Sequence, residues 1–89
     1  MGYQAIVGSA DLTTKMRYIS SYTFTENAGT PAAARVVIRD GSASGPVIID
    51  EPIVAGGVAK GDLSKPVFCP SGVYVQVTTG TVRGSIRGT

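Results

Sequence analysis

Residues 72–86 read Gly72-Val73-Tyr74-Val75-Gln76-Val77-Thr78-Thr79-Gly80-Thr81-Val82-Arg83-Gly84-Ser85-Ile86, and this stretch decides the fold. Val73, Val75 and Val77 alternate with Tyr74, Gln76 and Thr78. Val82, Gly84 and Ile86 then alternate with Thr81, Arg83, Ser85 and, one residue on, Arg87. A period of two marks a half-buried β-strand, because successive side chains leave a strand on opposite sides. Valine, isoleucine, threonine and tyrosine also suit the pleated surface of a sheet. Between the two runs, Thr79-Gly80-Thr81 reads as a tight hairpin.

The same grammar extends upstream. Ala34, Val36 and Ile38 alternate with Arg35, Val37 and Arg39. Over residues 15–25, Met16, Tyr18, Tyr22 and Phe24 fall on one face, opposite Arg17, Ser21 and Thr23. Val47-Ile48-Ile49 is apolar on both faces, which predicts a central strand covered on both sides. A first strand is predicted over residues 4–7. Turn chemistry separates these runs: Glu26-Asn27-Ala28-Gly29-Thr30-Pro31, Asp40-Gly41-Ser42-Ala43-Ser44-Gly45-Pro46, Gly56-Gly57, Gly61-Asp62 and Pro70-Ser71-Gly72. Thr30-Pro31-Ala32-Ala33-Ala34-Arg35 has the cap and proline of a helix start. The β-branched Val36-Val37-Ile38 and the break at Asp40-Gly41 favour a strand there instead. A single helical turn fits Asp11-Leu12-Thr13-Thr14, and fraying is expected at residues 1–3 and 88–89. The expectation is one all-β domain: a small antiparallel β-sandwich or barrel, jelly-roll-like, of about six to eight strands.

Composition narrows the function classes. At 89 residues the chain is one domain. With 43% hydrophobic residues it does not read as disordered. Histidine is absent and Cys69 is the one cysteine, which excludes a histidine general base, a His/Cys zinc site and an intrachain disulfide. No metal and no cofactor is therefore expected. A formal net charge of +2 is too mild for an electrostatic nucleic-acid binder. There is no basic segment followed by a long apolar run and no stretch near 18 apolar residues, so neither a signal peptide nor a membrane span is expected. The lone cysteine fits synthesis in a reducing cytoplasm. A core this small is marginal by itself, which favours a partner surface, from identical copies or another protein.

No catalytic set assembles from the residue list, and the chain is read as a non-enzyme. The carboxylates Asp11, Glu26, Asp40, Asp50, Glu51 and Asp62 lie at turns or on polar strand faces. Asp50 and Glu51, as neighbours on a strand, point to opposite sides. Asp40-Gly41-Ser42-Ala43-Ser44-Gly45 lacks the acids of a calcium loop and the Lys-Ser/Thr of a phosphate loop, and reads as a turn in which Asp40 bonds nearby amides. Cys69 has no base beside it and reads as a small buried apolar residue. Arg83 and Arg87 form the one local basic excess, and with Gln4 and Ile6 of the first strand they are the candidate interface residues. Tyr18 and Tyr22, four residues apart on one predicted face, are read first as core residues, since Met16 and Phe24 share that face, and are the candidate ligand platform in the alternative reading.

At Ala34-Arg35-Val36-Val37-Ile38-Arg39-Asp40-Gly41-Ser42-Ala43-Ser44-Gly45 and Val47-Ile48-Ile49-Asp50, the chain resembles small virion-associated proteins of tailed bacteriophages. Those proteins carry a strand ending in Arg-Asp-Gly, a glycine/serine loop and an apolar strand. They close with a Gly-x-Tyr-Val-x-Val strand and a Gly-Thr-Val-x-Gly hairpin, matched here by residues 72–86. The resemblance covers residues 14–88. It implies a β-sandwich component of a phage particle, of the capsid decoration (cement) or head-fibre type. It further implies localisation in the virion, contacts with the major capsid protein or another virion protein, and a homo-oligomer, a homotrimer being favoured. A free strand over residues 4–7 is the candidate for addition to a neighbour's sheet. The alternative is a tail or fibre module that binds a host-surface glycan.

Overall fold

The computed structural model describes residues 2–89, and its elements are eight strands: β1 (Gly2–Val7), β2 (Ala10–Leu12), β3 (Tyr18–Glu26), β4 (Ala34–Asp40), β5 (Val47–Ile53), β6 (Val58–Phe68), β7 (Val73–Thr79) and β8 (Val82–Gly88). They form two four-stranded sheets with orders β1-β8-β3-β6 (sheet A) and β2-β7-β4-β5 (sheet B). The pairings nest: β1 with β8, β2 with β7, β3 with β6 and β4 with β5, all antiparallel. Adding β3–β8 and β4–β7 turns this nested ribbon into two facing sheets. That order is a jelly roll, a β-sandwich whose consecutive strands alternate between sheets at most connections.

The alternation seen in the sequence fills the space between the sheets. Sheet A contributes Ile6, Ile19, Tyr22, Phe24, Ala59, Val82 and Ile86, and sheet B contributes Leu12, Val36, Ile38, Ile53, Val73 and Val75, all buried in one core with Met16 and Cys69. Residues 30–33 form loop and residues 34–40 form strand, because β4 is held between β5 and β7. The single turn expected at residues 11–14 lies later: Asp11 and Leu12 belong to β2, and the turn spans residues 13–15, where the amides of Lys15 and Met16 both donate to the Leu12 carbonyl at 3.0 Å.

Several expectations are corrected. Thr79-Gly80-Thr81 is not a hairpin: β7 lies in sheet B between β2 and β4, and β8 lies in sheet A between β1 and β3. The turn therefore crosses from one sheet to the other, with Gly80 at φ 79° against Ala33 and Ala34. The stretch Val47-Ile48-Ile49 belongs to an edge strand, not a central one. Its apolar character on both faces comes from a bulge: Ile38 pairs with Ile49 and Arg39 with Val47, leaving Ile48 unpaired and turned toward the core. Gly61-Asp62 is not a break. Gly61 sits inside β6 under the Tyr22 ring, which occupies the place a Cβ would need. The Asp40 backbone amide donates to the Pro46 carbonyl within the loop at 3.0 Å, but its carboxylate does not bond the loop's amides: Oδ1 accepts the Ser71 amide at 2.8 Å and ties the β4–β5 hairpin to the approach to β7. Tyr3 and Gly88 are paired strand residues, opposite Arg87 and Gly2, while the expected fraying at Met1 lies outside the described residues.

A candidate interaction surface on sheet A

The outward side chains of sheet A follow from its register. One row runs Tyr3, Arg87, Ser21, Asp62; the next Ala5, Ser85, Thr23, Lys60; the third Val7, Arg83, Thr25, Val58. Beyond the first row Tyr18 faces Phe68. The middle of this face is hydroxyl-bearing and cationic, and its corners are apolar. Tyr3 is 62% exposed and Val7 82%, and Tyr18, Val58 and Phe68 are exposed as well.

Arg87 organises the centre. Its Nε donates to Ser21 Oγ at 2.6 Å, Nη1 to Ser85 Oγ at 3.2 Å and Nη2 to Thr23 Oγ1 at 3.4 Å. The guanidinium thus reaches three hydroxyls of the face at once, and Ser85 is buried although its side chain points away from the core. Among the described residues no carboxylate pairs with it; the ion pair present is Arg35–Asp50 on sheet B. A shallow concavity of about 330 Å³ lies between Arg87 and the Lys60-Gly61-Asp62 segment. Arg83, four residues before Arg87, projects from the same face.

The sequence-predicted residues divide accordingly. Arg83 and Arg87 share one face, beside the outward residues of β1. Ile6 is not an interface side chain: it is buried opposite Gly84 in the core, and Gln4 points the same inward way and is half-buried. Residues Tyr18 and Tyr22 do not form one platform. Both partners of β3 shift register between Ile19 and Ser21, so Ser20 is an inserted residue that reverses the phase of the strand. Tyr18 consequently faces solvent and stacks on Phe68 with ring centroids 4.8 Å apart. Tyr22 is 6% exposed and stacks on Phe24 at 5.1 Å inside. Burial, and then the Glu51 carboxylate, push the Tyr22 phenol above its ordinary value.

Other ionisable groups hold loops. Glu26, buried at the end of β3, accepts the Ala28 amide at 2.6 Å and the Gly56 amide at 2.8 Å. Those two donors hold its carboxyl below the usual carboxylate range. Nothing in the sequence flagged this role, since an acid beside a turn is ordinary. Burial, and then Asp40, raise the Cys69 thiol. Asp50 points outward to Arg35 while its neighbour Glu51 lies on the Val36 row facing the core. Among the described residues, no group of three or more histidine, cysteine, aspartate or glutamate side chains is placed to hold a metal ion, and no helix is long and apolar enough to cross a membrane.

Compared with protein-family models, curated proteins and solved structures, the chain matches none.

Proposed function

We propose that this chain is a non-enzymatic structural component of a phage virion that decorates and stabilises the capsid through protein–protein contacts. The observation that carries the reading is the outer face of sheet A. It combines exposed apolar corners with Arg83, Arg87 and Lys60 against one acid, Asp62. Apolar patches with a polar, charged centre are the chemistry of a docking surface. The complementary surface on the major capsid protein, or on another virion protein, is acidic. The strand grammar that resembles that of virion-associated proteins supports the same reading, as does the two-sheet sandwich. A function of this kind is executed by buried area, multiplied over every equivalent site on a shell. Mixing the purified chain with empty capsids and sedimenting tests it. Co-sedimentation that Arg83→Glu/Arg87→Glu abolishes is the expected result, and failure of the unaltered chain to sediment with capsids removes the head-decoration reading. Light scattering on the free chain tests the homotrimer implied by the resemblance.

A second reading, a tail or fibre module binding a host-surface glycan, is favoured by one observation. The exposed Tyr18–Phe68 stack presents ring faces of the kind on which sugars pack. Loss of cell-surface binding in Tyr18→Ala/Phe68→Ala, with capsid binding absent, selects it.

A further inference from the structure

Two four-stranded sheets leave four edges, and three of them carry devices that discourage further pairing. The β2 edge is three residues long and includes Asp11. The β5 edge is bulged at Ile48 and contains Asp50, Glu51 and Pro52. The β6 edge carries Lys60, Asp62, Lys65 and Pro66, and residues 63–66 stand opposite the single Ser20. Short length, charges, prolines and bulges all blunt an edge. β1 has none of them. It is Gly2-Tyr3-Gln4-Ala5-Ile6-Val7, uncharged, free of proline and paired with β8 in unbroken register.

The phase of that pairing fixes which backbone groups remain open. The Gly8 amide donates to the Val82 carbonyl at 2.8 Å, continuing the β1–β8 register. Bonded pairs alternate in an antiparallel ladder, so Gln4 and Ile6 turn their amides and carbonyls toward β8. Tyr3, Ala5 and Val7 turn theirs toward the open edge, and their side chains lie on the outer face.

We propose that the β1 edge is occupied by β1 of a second copy of this chain, antiparallel, with Ala5 facing Ala5 across a two-fold axis. In that register Tyr3 faces Val7 of the other copy, and Gln4 faces Ile6. Every outward amide and carbonyl of Tyr3, Ala5 and Val7 then finds a partner on both chains. Sliding the strands by two residues leaves the outward groups of Tyr3 or Val7 unpaired. The side chains agree with the backbone: the exposed Tyr3 and Val7 become an aromatic–β-branched cross-strand pair, one of the favourable kinds. The two A sheets fuse into one continuous sheet across the axis, an isologous contact that closes at two copies. The contact goes beyond the capsid reading and does not depend on it. A trimer formed through another face would be joined by it into assemblies of even copy number.

Sedimentation equilibrium and a cysteine scan test the inference. The chain should sediment as a dimer or an even multiple. Ala5→Lys, which sets like charges opposite each other on a side chain exposed in the single copy, should weaken self-association by at least about tenfold. Ala5→Pro, which deletes an edge-facing N–H and spares the β8 ladder, should do the same. Circular dichroism of both variants should match the parent. Bonded antiparallel pairs hold their Cα atoms about 5.5 Å apart, within disulfide reach. Ala5→Cys should therefore cross-link to itself under mild oxidation, whereas Tyr3→Cys should cross-link only when mixed with Val7→Cys. A monomer, a trimer indifferent to Ala5→Lys, or self-linking of Tyr3→Cys would overturn the proposal.

Discussion

The two outer faces of the sandwich are built from similar residues and finished differently. On sheet B, Arg35 makes two bonds to Asp50, Nε to Oδ1 at 2.7 Å and Nη2 to Oδ2 at 2.8 Å. Arg39 reaches Gln76 at 3.0 Å and the Gly45 carbonyl at 2.9 Å. Beneath these side chains Val37, although it points away from the core, is only 5% exposed. Sheet A instead spreads Arg87 over hydroxyls and leaves Tyr3, Val7, Tyr18, Val58 and Phe68 in water. Long charged side chains can roof an apolar residue when their heads find partners within the same face. On sheet A the partnered Arg87 roofs the small Ser85, and the large apolar side chains at the corners stay open. Sheet B closes over its centre and leaves Val47 exposed at one corner, while sheet A, with five exposed apolar side chains, has the features of a surface that another molecule completes.

The harshest way to break this comparison is through the core that carries both faces. Phe24 is fully buried at the centre of sheet A's inner side, and Phe24→Ala should cost about 3–5 kcal/mol. Both faces should be lost in a single transition when followed by chemical denaturation. Charge reversal separates the faces next. Arg83→Glu/Arg87→Glu should weaken capsid binding by at least about tenfold, or roughly 1.4 kcal/mol. The swap Arg35→Asp/Asp50→Arg, which keeps sheet B's ion pair, should leave binding unchanged in the same sedimentation assay. Stability should then show the reverse asymmetry. Val37→Ala on sheet B should lower unfolding free energy by about 1–2 kcal/mol, whereas Val58→Ala on sheet A should stay within about 0.5 kcal/mol. A result in which both valines cost the same would remove the distinction between a roofed and an open face.

The smallest effect is visible mainly as a pH slope. The folded-state pKa of Glu26 lies below its ordinary value of 4.5. Its contribution to stability is therefore present above the unfolded-state value and is lost as pH falls through the folded one. Thermal midpoints should decline from about pH 5 toward pH 3, and Glu26→Gln should flatten that decline.

The reading of residues 72–86 and 34–40 as period-two strands was sound because the side chains of residues 73–77, 82–86 and 34–40 alternate without a break, the register slip of β7 against β4 falling at Thr78 near the strand's end, and side-chain polarity reports that phase directly. Where the phase breaks, polarity misleads. Ser20 shifts β3 by one residue, so two tyrosines at even spacing end on opposite faces; tyrosine suits either environment and gives no warning. Ile48 does the same in β5, turning a bulged edge into an apparent doubly covered strand. The hairpin expected at Thr79-Gly80-Thr81 failed for a different reason. Gly80 permits the turn, but which sheet receives β8 is decided by distant β1 and β3. That Arg83 and Arg87 share one outward face was legible because they share a period with the polar side of β8. The hydroxyls beneath Arg87 come from β3 and from within β8, and only the register brings Ser21 and Thr23 to it. Glu26 was invisible for the same reason: one of its two donors, Gly56, lies thirty residues away.

The nesting of β1 against β8 also sets an order of events during synthesis. Residues 47–53 emerge soon after 34–40, so the β4–β5 hairpin can close early, and each later strand finds a partner already made. For β1 the wait is longest, since its ladder partners at positions 83–88 are the farthest along the sequence of any paired strand. Until then it has no template to hold it extended and twisted. The rim it provides comes into being only after β8 has been made, and a nascent copy that lacks β8 has no such rim to offer to a neighbour.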